Sequence, residues 1–210
     1  MIGSLPGGVS VLLNTSPAVS NADPVATATT LTTDVNPVVT GQLVTLTATV
    51  TAALGTPVGS VTFFDGTTVL GVVAVDPNGQ AVLVVPLGVG PHSLTASFAG
   101  IAPFTASTSA AVSETVNPAA TTTALSADVF ASSFVQFTVT VFPVAPGAGV
   151  PTGTITLFDG DTVVGTATLI GGQAFIDIDG IQPGRHTFTA SYSGDDSFEA
   201  SLSDPLVLTI

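Results

Sequence analysis

Cysteine, tryptophan and lysine are absent from this 210-residue chain, Tyr192 is its single tyrosine, and Arg185 its single strongly basic side chain. Without cysteine no disulfide can staple a core, so burial of apolar faces has to hold whatever folds. The near-absence of cations leaves the 14 carboxylates with a formal charge of −13. Such a chain repels phosphate backbones, which argues against nucleic acid as a partner, and anionic lipid is disfavoured for the same reason. Long apolar runs are missing too: Val, Leu and Ala alternate with Thr and never approach the ~20 residues of a membrane span, so no membrane insertion is expected. The N-terminus lacks the basic flank and long apolar core of a secretory signal.

Chemistry-bearing patterns are equally scarce. His92 and His186 are the only histidines, and neither has a second His or Cys at metal-ligand spacing. No Gly-x-Ser-x-Gly elbow occurs, and a triad would have to be built on one of those two histidines. No catalytic residue and no cofactor site are therefore assigned, and an enzyme is not expected.

What the chain does have is a repeat. Pro57 to Gly71 reads PVGSVTFFDGTTVLG, and Pro151 to Gly165 reads PTGTITLFDGDTVVG, with the Asp-Gly pairs 94 residues apart (159 − 65). In each copy an alternating run leads into Asp-Gly and then a second alternating run, the pattern of a β-hairpin. Asp65-Gly66 and Asp159-Gly160 are expected at the hairpin tips, with positive φ at both turn residues.

The rest of the chain repeats around this hairpin, which predicts two modules of about 100 residues rather than one large domain. Residues 1–25 form an N-terminal extension, 26–116 the first module, 117–120 a linker and 121–210 the second. Strands are predicted at Thr27 to Thr33, Leu43 to Thr51, across the hairpin, Gln80 to Val85, His92 to Ala99 and Thr105 to Val116. The second module follows with Thr121 to Asp128, Val135 to Phe142, Thr154 to Phe158, Thr162 to Leu169, Gln173 to Ile178, His186 to Ser193 and Ser201 to Ile210. Its second strand aligns at an offset of 91 (135 − 44), and an insertion within Phe142 to Val150 restores 94. The linker Asn117-Pro118-Ala119-Ala120 is short and contains proline, which restricts the relative orientation of the modules. About seven short strands per copy, with turns every 8 to 12 residues, predict an all-β chain of two tandem immunoglobulin-like Greek-key sandwiches.

The segments Gly41-Gln42-Leu43-Val44-Thr45-Leu46-Thr47, Pro57-Val58-Gly59-Ser60-Val61-Thr62-Phe63, Gly90-Pro91-His92-Ser93-Leu94-Thr95-Ala96 and Tyr192-Ser193-Gly194-Asp195 to Phe198 resemble the bacterial Ig-like (Big) repeat domains. The resemblance covers both modules. It implies a secreted or cell-surface protein in which such domains act as stalks, spacers or adhesive modules. Module one departs from it at Phe98 to Phe104, which lacks the Tyr and acidic residues found at 192, 195 and 196. Lacking lysine, the chain also cannot form the Lys–Asn isopeptide bond of many surface Ig-like domains.

Three candidate sites remain. Val9, Val11 and Leu13 share one face of a short strand over residues 9–14 that could be donated to the open sheet edge of another subunit. Asn14-Thr15-Ser16 is a formal glycosylation acceptor. Asp161, Asp195 and Asp196 place hard oxygen ligands at loop tips and are the candidate calcium ligands, without the spacing of an EF-hand; the alternative is that they serve turn geometry and solubility. Two functional readings follow. The first is a non-enzymatic extracellular structural protein, a stalk or a filament assembled head to tail by strand donation, its partners being further copies or neighbouring repeats. The second is an adhesin-type module whose end loops recognise a surface glycan or protein.

Overall fold

In the computed structural model, residues 23–130 and 134–210 are described, and the expected strand over 9–14, with Val9, Val11, Leu13 and Asn14, lies outside them. All regular structure among the described residues is β. Module one comprises β1 (Thr27–Thr33), β2 (Val38–Val39), β3 (Leu43–Ala52), β4 (Ser60–Asp65), β5 (Thr68–Ala74), β6 (Gln80–Pro86), β7 (Gly90–Phe98), β8 (Ser107–Thr108) and β9 (Val112–Asn117). Module two comprises β10 (Thr121–Val129), β11 (Val135–Pro143), β12 (Thr154–Asp159), β13 (Thr162–Thr168), β14 (Gln173–Ile178), β15 (Arg185–Tyr192), β16 (Ser201–Leu202) and β17 (Leu206–Thr209).

Alternation builds the sandwich. Along β3, Val44, Leu46, Ala48 and Val50 are buried while Thr45, Thr47 and Thr49 lie on the opposite, half-exposed face, as a period of two requires. In module one the sheet β1-β3-β6 faces the six-stranded sheet β2-β9-β7-β4-β5, in which β8 also pairs with β7. In module two β10-β11-β14 faces a sheet of β13-β12-β15-β16, with β17 beside β15. Each pair of sheets encloses its own core, centred on Leu46, Phe63, Leu94 and Phe98 in the first module and on Phe137, Leu157, Phe188 and Tyr192 in the second. The Phe137 and Phe188 rings lie 4.5 Å apart and tilted. Each such buried ring contributes about 2–3 kcal/mol of apolar burial.

Two expectations need correction. The hairpin loops are Gly66-Thr67 and Gly160-Asp161, because Asp65 pairs with Thr68 and Asp159 with Thr162 as the closing strand positions. Positive φ occurs at Gly66 (55°) and Gly160 (54°) and at no non-glycine residue described. A positive φ at the first loop residue alone belongs to the II′ class, which demands glycine there and leaves the preceding Asp in ordinary strand geometry.

The last strand of each module is also not continuous. It breaks after Thr108 and after Leu202, where Ser109 and Ser203 are buried. Each serine hydroxyl accepts from a backbone N–H of the neighbouring strand, Ala96 at 3.0 Å and Ala190 at 2.9 Å, and donates to the next carbonyl of its own strand. A hydroxyl thus satisfies the ladder where the strand bends.

Candidate functional site

The base of each hairpin carries a repeated polar clasp. Asp65, at the end of β4, faces β7, which is hydrogen-bonded to β4. Its Oδ2 lies 2.7 Å from His92 Nδ1, its Oδ1 accepts from Ser93 N–H at 3.0 Å, and Gly66 N–H donates to the Ser93 carbonyl at 2.9 Å. His92 Nε2 is 2.8 Å from the Gly88 carbonyl. In module two Asp159 and His186 Nδ1 are 2.5 Å apart, Thr187 N–H donates to Asp159 at 3.3 Å, and His186 Nε2 is 2.8 Å from the Gln182 carbonyl.

Both ring nitrogens of each histidine therefore face oxygen acceptors. A neutral imidazole donates from only one nitrogen, so the arrangement is complete only when the ring is an imidazolium. The pKa directions agree. Burial lowers that of His92, but hydrogen bonds to Asp65 and Gly88 and the nearby carboxylates outweigh it and the net shift is upward. His186 is raised chiefly by Asp159, and Asp65 is lowered chiefly by His92. With both nitrogens engaged, neither ring offers a lone pair to a metal or to a substrate proton.

The sequence marked the aspartates as turn residues and gave the histidines no chemical role, and it did not show that they pair. The available signal was a second constant spacing, since Asp and His are 27 residues apart in both copies.

The acidic loop of module two is also internally engaged. Asp195 accepts from Thr152 N–H (2.9 Å), Thr152 Oγ1 (2.5 Å), Ser197 N–H (2.8 Å) and Phe198 N–H (2.9 Å). Burial raises its pKa, but these donors outweigh it and the net shift is downward. Beside it the buried Tyr192 hydroxyl is pushed up to about 12, first by burial and then by the Asp195 charge. Asp161 sits in the exposed hairpin loop and Asp196 is exposed. Among the described residues no three His, Asp or Glu side chains converge as a cation site would need.

The junction between the modules has no slack. β9 ends at Asn117 and β10 starts at Thr121, and the intervening Ala119 is fully buried in the core of module two. Ala119 pairs in parallel with Phe198, its N–H donating to Ser197 and its carbonyl accepting from Glu199, both at 2.9 Å. Val144 N–H donates to the Ala120 carbonyl at 2.8 Å, and Ala148 N–H reaches back to the Thr40 carbonyl of module one at 3.0 Å. Val39 of module one packs against the core of module two. Alongside, an open groove of about 290 Å³ is lined by Phe142, Val150, Pro151, Gly172 and Gln173 among others, none of them charged.

No curated protein sequence matches this chain. Similar solved structures include a tetra-tandem repeat from the extending region of a large adhesion protein, 22% identical over 89% of this chain and 49% of that one, with a TM-score of 0.47. The Yersinia pseudotuberculosis adhesin InvE is 19% identical over 87% of this chain and 58% of its own, with a TM-score of 0.40. Fibronectin(III)-like modules of Clostridium thermocellum CbhA are 20% identical over 85% and 90%, with a TM-score of 0.36. The sequence model of the bacterial Ig-like domain (group 3) family matches residues 31–117 and 121–210. The chain belongs to that family, as two of its domains in series.

Proposed function

We propose that the chain is a non-enzymatic structural segment of an extracellular or cell-surface protein, two Ig-like modules in series that serve as a stalk or spacer. The observation that carries this reading is the junction: the linker is absorbed into the sheets and core of module two, so tension applied along the chain passes from β9 to β10 without a slack segment. The repeated clasp belongs to the same reading, because its imidazolium and carboxylate are spent on tying each hairpin to the neighbouring strand, β7 or β15. Protease shaving of intact source cells tests the location. Peptides of this chain should be released from the surface; peptides found only after lysis would contradict the proposal.

Assembly into a filament by donation of the strand over 9–14 extends this proposal. It is supported by edge strands that carry no charge, β5 and β13, which expose Val69, Val72 and Val163. Uncharged edges are open to an added strand. Light scattering across a dilution series should show concentration-dependent assembly that is lost on deleting residues 1–21. Assembly that survives the deletion would contradict donation.

A second reading, recognition of a surface glycan or protein, is favoured by the uncharged groove and its half-exposed Phe142. Selective binding on a glycan array, abolished by Phe142→Ala, would establish it; no binding on the array would count against its glycan form.

A further inference from the structure

The two modules follow each other at a constant offset except in two loops. From Leu31, which corresponds to Leu125, to Val44, which corresponds to Val135, the offset falls from 94 to 91, so module one has three extra residues between β1 and β3. From Val50, which corresponds to Val141, to Val61, which corresponds to Ile155, it returns to 94, so module two has three extra residues between β11 and β12. Taken along the sequence, these are unrelated loop changes in different modules. In space they meet.

The module-one loop contains β2, which lies parallel to the end of β9, and then Thr40-Gly41. Thr40 N–H donates to the Asn117 carbonyl at 2.9 Å, fastening the corner to the start of the linker. The module-two loop runs through Ala145-Pro146-Gly147-Ala148. Its Ala148 N–H donates to the Thr40 carbonyl at 3.0 Å, and Gly147 N–H closes its own turn on Val144 at 2.9 Å.

The surfaces fit at backbone level. Gly41 has a φ of 84°, and a Cβ there would overlap the Ala148 backbone; a Cβ at Gly147 would meet the Ala119 methyl at 2.5 Å. Glycine is needed here because two backbones approach more closely than any side chain permits.

We propose that these matched departures from the repeat form a latch, in which the Thr40-Gly41 corner of module one is held by the longer loop of module two. The latch fixes the two modules as one stiff element and confines bending at this joint to the moments when the Ala148–Thr40 contact opens. The latch deepens the spacer reading, since stiffness serves reach, but its geometry does not depend on where the protein resides.

The test exploits the absence of cysteine. Thr68→Cys and Thr162→Cys, both exposed, carry spin labels on either side of the joint in the full chain, and pulsed electron–electron resonance reads the distribution of distances between them. The parent should give one narrow distribution. Deleting Pro146, Gly147 and Ala148, which restores the loop length of module one, or substituting Ala148→Pro, which removes the N–H donor and sets a ring against the Thr40 carbonyl, should broaden and shift it while the amide spectra of both modules stay dispersed. Gly41→Val approaches the latch from the other side. Should that variant lose its dispersed spectrum through backbone strain at Gly41, Ala148→Pro decides. A broad distribution in the parent, or an unchanged narrow one in folded latch variants, overturns the proposal. Protease shaving reports location alone, so a flexible joint on a surface protein and a stiff joint in a protein found elsewhere are separate outcomes.

Discussion

At the residue scale the most informative side chain is Glu114, which lies on the core-facing side of β9, is fully buried, and has no hydrogen-bond partner for either carboxylate oxygen. It stands directly opposite His92 in the β7–β9 ladder, and its charge is among the influences that raise the His92 pKa. Module two places Leu208 opposite His186 instead. Burying a carboxylate without hydrogen bonds costs more than an apolar group of similar size. Glu114→Leu is therefore expected to stabilise module one by about 1–3 kcal/mol, seen as a higher melting temperature in calorimetry; a lower one would mean that the carboxylate is needed.

The clasp makes a pH prediction at the same scale. A histidine whose folded pKa is raised contributes stability that is complete below its ordinary 6.5 and is lost as the pH climbs through the folded value. The partner Asp65, whose pKa is lowered, contributes stability that is present above its ordinary 3.8 and is lost as the pH falls through the folded value. Module one should accordingly lose stability between pH 6.5 and the raised pKa of His92, and His92→Gln should flatten that slope. Imidazole carbon shifts give the check: midpoints below 6.5 for both rings would contradict the imidazolium assignment.

At the element scale, the hairpins were legible because alternation, a Gly that must take positive φ and a second copy 94 residues on all agree. The Asp–His pairing was not, because which carboxylate reaches which ring depends on β4 lying beside β7, a long-range adjacency that local pattern does not encode. The break in the final strand was hidden for a different reason. Ser109 and Ser203 read as ordinary polar positions of an alternating run, and only the buried ladder shows that their hydroxyls replace a backbone partner. Ser109→Ala and Ser203→Ala each leave a buried N–H unpaired, so each should lower the stability of its module by about 1–3 kcal/mol. Native-state hydrogen exchange should show the loss at Ala96 in the first variant and at Ala190 in the second. Protection unchanged at those amides would mean that the hydroxyls are dispensable.

At the scale of the whole molecule, the charge of −13 is unevenly spread, with the acidic loops concentrated in module two. Charge therefore says more about what the surface repels than about what the modules bind. Sequence periodicity announced two modules, while the offset slips at the second strand looked like tolerated loop variation. Their meaning lay in a contact between modules, which a repeat read one copy at a time cannot reveal. Two separately cored sandwiches in series, joined without slack, form the proposed tension-bearing segment.

Pulling single molecules by their two ends tests that most directly. Two separate unfolding steps are expected, each releasing roughly 300 Å of chain, as about 90 residues at 3.3–3.6 Å apiece require. A single step releasing both modules together, or smooth extension without steps, would contradict it.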